Sequence, residues 1–218
     1  MERFFTLDKF NTFYDWDLIL TDKDVTPPEP KTNYVNLDGA NGTLDLSEAL
    51  TGEITYEDRE VVAKFWTDHG TRKDREMLLK KILTAIHGKK IKIVDPDDQE
   101  HYLYGRARVK GFVNTLPYMT LEIEATCEPW KYAIFNSYRS VEVTNGESID
   151  LVINNNGVKT LSPVITVVGT VTIGYKGSET TLTEGSYKIS DLKLYHGANV
   201  VTVSGVGSVT FEYREADL

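Results

Sequence analysis

The sequence predicts a mainly β protein in two parts, and three observations carry that prediction. Apolar and polar residues alternate through most of the first 130 positions, the period of strands with one buried face. A helical period interrupts them over about 72–87, where Leu78, Leu79, Ile82, Leu83 and Ile86 share one face. From Tyr138 onward, short β-rich runs recur at roughly 8–12-residue intervals with no helical segment, the spacing of an all-β sandwich. The expectation is an α+β domain over 1–130 with one amphipathic helix, then a β-sandwich of jelly-roll type over 131–218. A chain of 218 residues is long enough to bury two such cores.

Taken in order, Trp16, Leu18 and Leu20 place one face of an early strand against a core. Ile54 and Tyr56 have the opposite parity to Val61, Ala63 and Phe65, so a bulge or break is expected near Asp58-Arg59. Thr71 with Asp74 three residues on forms a capping box for the helix, and Gly88 suits its C-terminal end. Burying five aliphatics at ~1.5–3 kcal/mol each outweighs the weak intrinsic stability of so short a helix. Asp95-Pro96-Asp97-Asp98 then turns a hairpin over about 90–106.

Arg106–Phe112 and Tyr118–Cys127 read as two further strands, with Glu122 and Glu124 on a wet face. Glu128-Pro129-Trp130 ends that pattern and marks a domain boundary near residue 131. In the second part, Asn145-Gly146, Asn156-Gly157, Gly169, Gly177, Gly185, Gly197 and Gly205 separate strands such as Val164–Val168, Val171–Tyr175, Asn199–Val203 and Ser208–Tyr213.

Composition narrows the function. A net charge of −9 argues against a broad phosphate-binding face, and so against nucleic-acid binding. The single cysteine, Cys127, excludes an intrachain disulfide and reads as a buried structural thiol. Met1 to Asp8 lacks the apolar core of a secretory signal, and no run of 18 apolar residues exists to span a membrane.

The four histidines, His69, His87, His101 and His196, are scattered, and neither acidic turn has the ligand spacing of a calcium loop. No nucleophile elbow, phosphate-binding loop or dinucleotide fingerprint is present. No catalytic, cofactor-binding or metal-binding residue is assigned, no cofactor is expected, and the chain does not read as an enzyme. Exposed tyrosines at Tyr132, Tyr138, Tyr175, Tyr187 or Tyr195 leave a carbohydrate-binding sandwich as the alternative, although strand tyrosines are usually packing residues.

The stretch from Pro27 to Gly52 is the most specified connection in the chain. Pro27, Pro28 and Pro30 hold it extended, and Asp38-Gly39 with Asn41-Gly42 supplies a tight reversal. Leu44, Leu46, Ala49 and Leu50 follow, stopped by Thr51-Gly52. Pro27–Val35, the turn, and Leu44–Gly52 resemble the distal tail protein family of long-tailed phages. In that family the turn usually has Pro-Gly-Arg-Asp-Gly, where this chain has Leu37-Asp38-Gly39-Ala40-Asn41-Gly42. The order Asn-Asn-Gly, Ser162–Ile165 and His196–Val201 is similar to the family's galectin-like C-terminal module.

The resemblance implies a structural protein of the tail tip, or baseplate, of a phage or prophage-encoded particle, built in the host cytoplasm. It implies a homo-hexameric ring that joins the tail tube protein to the tail-associated hub and to receptor-binding or adhesion proteins. DNA would be passing cargo only. For one side of the ring contact, Lys92, Ile93, Val94, Tyr102, Leu103 and Tyr104 are the candidates, because a hairpin can extend a neighbour's sheet.

Overall fold

The computed structural model describes residues 3–39, 41–144 and 146–218. Met1, Glu2, Ala40 in the first turn and Asn145 of the Asn145-Gly146 turn lie outside the described residues. The chain forms two compact units, Met1–Lys131 with Leu218, and Tyr132–Asp217.

The first unit contains β1 (Thr6–Leu7), β2 (Phe10–Asn11), β3 (Ile19–Val25), β4 (Tyr34–Asn36), β5 (Thr43–Asp45), β6 (Arg59–Thr67), α1 (Arg72–Ile86), β7 (Lys90–Asp95), β8 (Asp98–Asn114) and most of β9 (Met119–Ala133). Its main sheet runs β2-β1-β7-β8-β9-β6-β3. The sheet rolls over itself: Phe5, beside β1, meets Phe65 of β6 edge to face at 6.3 Å, although three strands separate β1 from β6. Inside the roll lie Leu7, Val61, Ala63, Ile93, Leu103, Ile123 and Ala125, all buried.

Helix α1 begins with both halves of its capping box formed. Asp74 N–H donates to Thr71 Oγ1 at 3.3 Å, and Thr71 N–H donates to Asp74 Oδ2 at 2.9 Å. Ile82 and Ile86 are fully buried, with Leu78 and Leu79 partly so. The same face carries Arg75, only 2% exposed. Its guanidinium donates to Asn114 Oδ1 at 3.0 Å and to the carbonyls of Gly70 and Thr115 at 2.9 and 3.1 Å, tying the helix start to the end of β8.

Several sequence expectations change. Of the bulge or break expected near Asp58-Arg59, the structure has the break: β6 starts at Arg59, and Ile54 and Tyr56 belong to the segment before it. Arg106–Phe112 is not a separate strand but part of the 17-residue β8. β9 continues through Glu128-Pro129-Trp130, because Pro129 lies past Cys127, the last β9 residue paired with β6, and costs no bond to that strand. Glu124 lies with Glu122 on the outward face of β9, opposite the inward Ile123 and Ala125, yet it is itself only 3% exposed. Lys110 Nζ at 2.8 Å and Arg108, both more than half exposed, cover it and hold its carboxyl below the usual range.

The second unit contains β10 (Ser137–Val143), β11 (Ser148–Asn155), β12 (Val164–Tyr175), β13 (Ser178–Leu182), β14 (Gly185–Tyr187), β15 (Gly197–Tyr213) and β16 (Ala216–Asp217). β12 and β15 pair along most of their length, and each is flanked by two shorter strands in succession. Gly169 and Gly205 therefore do not end strands; they mark a crease within them. Gly169 pairs with Gly207 and Val171 with Gly205. These glycines share the parity of the buried Ile165, Val167, Val171, Val203, Val209 and Phe211. At the inside of a bend there is no room for a side chain: a Cβ on Gly169 would lie 2.5 Å from the Val206 carbonyl oxygen, and one on Gly207 would collide with that of Val168. The crease folds one antiparallel sheet into a sandwich around a single core.

Substituting Gly207→Val should therefore destabilise the second unit by at least ~2 kcal/mol, from a φ of +142° and the backbone collision. Val206→Ser, next in sequence but outward-facing, should change stability by less than ~1 kcal/mol. Urea unfolding of both variants checks the contrast.

Candidate functional site

Between Val25 and Arg59 the first unit extends an arm. β3 and β6 are neighbours, so the arm leaves and rejoins the sheet at one place, where Thr26 N–H donates to the Glu60 carbonyl at 3.1 Å. Its base is laddered: Pro30 bridges Tyr56, Lys31 N–H reaches the Thr55 carbonyl, and Glu57 N–H reaches that of Glu29, both at 2.8 Å. Tyr56 packs edge-on against Trp130 at 5.6 Å, and Pro28 is buried. Further out, β4 and β5 pair through Tyr34–Asn36 and Thr43–Asp45, and Leu46 N–H bonds the Asn33 carbonyl.

The arm's hydrogen bonds are largely internal, while its apolar side chains are not covered. Tyr34, Leu37, Leu44 and Ile54 are each about half exposed, and Leu50 is 99% exposed. Leu50 sits on a turn closed by Gly52 N–H to the Glu48 carbonyl at 2.8 Å. This is an exposed apolar surface on an ordered support, the usual mark of a docking element. The proline run and the Gly-containing turn signalled the arm in the sequence; the exposure of its leucines did not follow from pattern.

The predicted hairpin residues divide by face. Ile93 and Leu103 point into the rolled sheet, 2% and 3% exposed, so they are core and cannot touch a neighbour. Lys92, Tyr102 and Tyr104 lie on the outer face, with Val94 half-buried. Lys92 Nζ lies over the Tyr102 ring at 4.7 Å and Lys90 Nζ over Tyr104 at 5.1 Å, a cation–π ladder on the outside. Sheet extension through β7 is also blocked. β1 pairs Thr6 and Leu7 with Val94 and Ile93, and Asp8 N–H takes the Lys92 carbonyl.

The acidic turn of this hairpin is an ion-pair cluster. Lys23, reaching from β3, contacts Asp95 and lies 2.9 Å from Asp97, which Arg3 also contacts. Lys23 first, then Arg3, holds the Asp97 carboxyl below its usual range. Asp98 meets His101 Nδ1 at 2.8 Å and Lys131 at 3.5 Å. Turn chemistry and charge pairing use these carboxylates fully.

No group of three or more His, Cys, Asp or Glu suited to a metal ion occurs among the described residues. No helix among them is long and apolar enough to cross a membrane. Burial pushes the Cys127 thiol up to about 12. The tyrosines considered for sugar binding are engaged: Lys176 covers the rings of Tyr175 and Tyr195, and Lys159 covers Tyr132. Tyr138 hydroxyl reaches Glu212 at 3.2 Å, and Tyr187 is half-buried beside Thr183.

No protein-family model matches this sequence, and no curated protein matches it. Among solved structures, the chain is similar to SPP1 Dit (gp 19.1), described as a paradigm of the hub adsorption apparatus in Gram-positive infecting phages. The TM-score is 0.71 at 13% sequence identity, over 100% of both chains. What the two share is the fold, end to end. At that level the resemblance read from Pro27–Gly52 to phage distal tail proteins is borne out.

Two outcomes follow from this geometry. Ile93→Asp should cost more than ~3 kcal/mol, a charge forced into the roll, while Tyr102→Asp stays within ~1 kcal/mol; urea unfolding reads both. Cys127 should resist iodoacetamide in the native protein and react on unfolding. Since the thiol ionises near 9.0 when unfolded and near 12 when folded, its contribution to stability is full below about pH 9 and is lost as pH rises toward 12. Melting temperature against pH above 9 measures that loss.

Proposed function

We propose that this protein is a non-enzymatic structural component of a phage tail tip, or of a related prophage-encoded particle. It forms a ring, by our reading a homo-hexamer, around the axis of the tail tube. The ring joins tube protein on one side to the hub and the adhesion proteins on the other, and DNA passes as cargo. The protein resides in the virion after assembly in the bacterial host.

The observation that carries this reading is the shared fold with SPP1 Dit over the whole of both chains. The exposed apolar arm supports it independently. A closed ring needs heterologous contacts, one patch meeting a different patch on the next subunit. Tyr34, Leu37, Leu44, Leu50 and Ile54 provide one such patch, apolar and presented on a backbone that is already hydrogen-bonded. The net charge of −9 suits a wall that repels the DNA passing it.

The test is mass in solution by light scattering, with negative-stain images, over a range of concentrations and with tail tube protein and hub present. The expected result is a particle about six times the 24.6 kDa chain mass with an open centre. A chain that stays monomeric even beside those components would overturn the reading.

A further inference from the structure

A second exposed feature of the first unit complements the arm in charge and, like it, exposes apolar surface. Between the N-terminal segment and α1 lies an open groove of about 590 Å³. Its floor is apolar, made by Phe10 and Trp16, stacked at 5.3 Å, and by Ala85. Its helical rim carries Lys80 and Lys81. Asp15, also on the rim, accepts a hydrogen bond from Asn11 N–H at 2.7 Å and is occupied locally.

Lys80 and Lys81 are exposed, and among the described residues neither ammonium meets a carboxylate, in a chain whose net charge is −9. The helix they sit on carries Arg72, Lys73, Arg75, Lys80 and Lys81 against Asp74 and Glu76, an excess of positive charge. The arm has the complementary pattern. Between Thr32 and Thr55 it carries Asp38, Asp45, Glu48 and Glu53 and no lysine or arginine. Glu48 and Glu53 flank Leu50, and their carboxylates have no partner among the described residues. Leu50 is 99% exposed, so it does not fill the groove of its own chain.

From these reciprocal vacancies we infer that the arm of one copy docks in the helix-side groove of the next. Leu50 enters between Phe10, Trp16 and Ala85, and Glu48 and Glu53 pair with Lys80 and Lys81. This contact rests on the ring reading above and names its two faces. It is heterologous: the knob and the groove are different patches of the same subunit, so each copy offers both and the contact propagates around an axis. The turn under Leu50 is closed in the free chain, so little ordering opposes docking. Leu50 then leaves water completely, and the ion pairs at the rim set register and partner choice.

Charge reversal tests it in the full chain. Lys80→Glu with Lys81→Glu, or Glu48→Lys with Glu53→Lys, should each raise the concentration for half-assembly at least ~10-fold. All four substitutions together should bring it back to near the unsubstituted value. Thermal melts of the unassembled chain, below the assembly concentration, should stay unchanged, since the four side chains are exposed. As a second readout, Leu50→Cys with Thr84→Cys should form disulfide-linked ladders on oxidation, with the buried Cys127 silent. Rings that assemble normally with reversed lysines, or a fourfold variant no better than either pair, would overturn this contact and leave the ring reading standing. A parent chain that never assembles, even with tail tube protein and hub, removes both.

Discussion

A single antiparallel sheet can bury one face only by bending over itself, and that constraint shapes both units. In the first, β8 and β9 run 17 and 15 residues, long enough to roll until β3 approaches the hairpin between β7 and β8. Lys23 meets Asp95 there with both side chains mostly buried, at 16% and 15% exposed. Burial of the roll's interior drives the bend, and the ion pair holds β3 against the hairpin, since two mostly buried opposite charges are costly to separate. In the second unit the bend is covalently prepared. Glycines occupy the inward positions at the crease, so backbone approaches backbone where any side chain would intervene.

What the sequence disclosed follows from the range of each signal. Fold class was legible because alternation and the helical period are local, and Leu78 to Ile86 admits one face. Strand ends were not. A glycine reads as a break, yet Gly169 and Gly205 lie inside strands, and only the pairing of Gly169 with Gly207 distinguishes a crease from a turn. β13 escaped notice because Ser178–Leu182 has one buried residue, Leu182, and no alternation to find. Arg75 and Glu124 were missed for a related reason. Each is a charge buried by partners distant in sequence, Asn114 and Thr115 for one, Arg108 and Lys110 for the other.

The hairpin gives the opposite lesson. Its alternation already placed Ile93 and Leu103 on one face and Lys92, Tyr102 and Tyr104 on the other, so the six could never have formed one outer patch. What pattern could not supply was β1, a two-residue strand, Thr6–Leu7, that takes the edge of β7. Two residues carry no period, yet they decide whether a hairpin is free to pair with another chain.

The arm remains as the place where local and global preferences disagree. Rungs such as Lys31 to Thr55 and bonds such as Gly52 to Glu48 hold its backbone in a defined path. Its leucines stand in water while the rolled sheet and the sandwich each have a complete core. What the arm most visibly leaves uncovered is apolar side chains on a backbone that already has a defined path. That division suits a subunit that must be finished before it joins others. The backbone is ordered in the free chain, and association needs only to remove apolar surface from water and bring charges together. Under the proposed ring, assembly would depend on concentration and neighbours rather than on refolding.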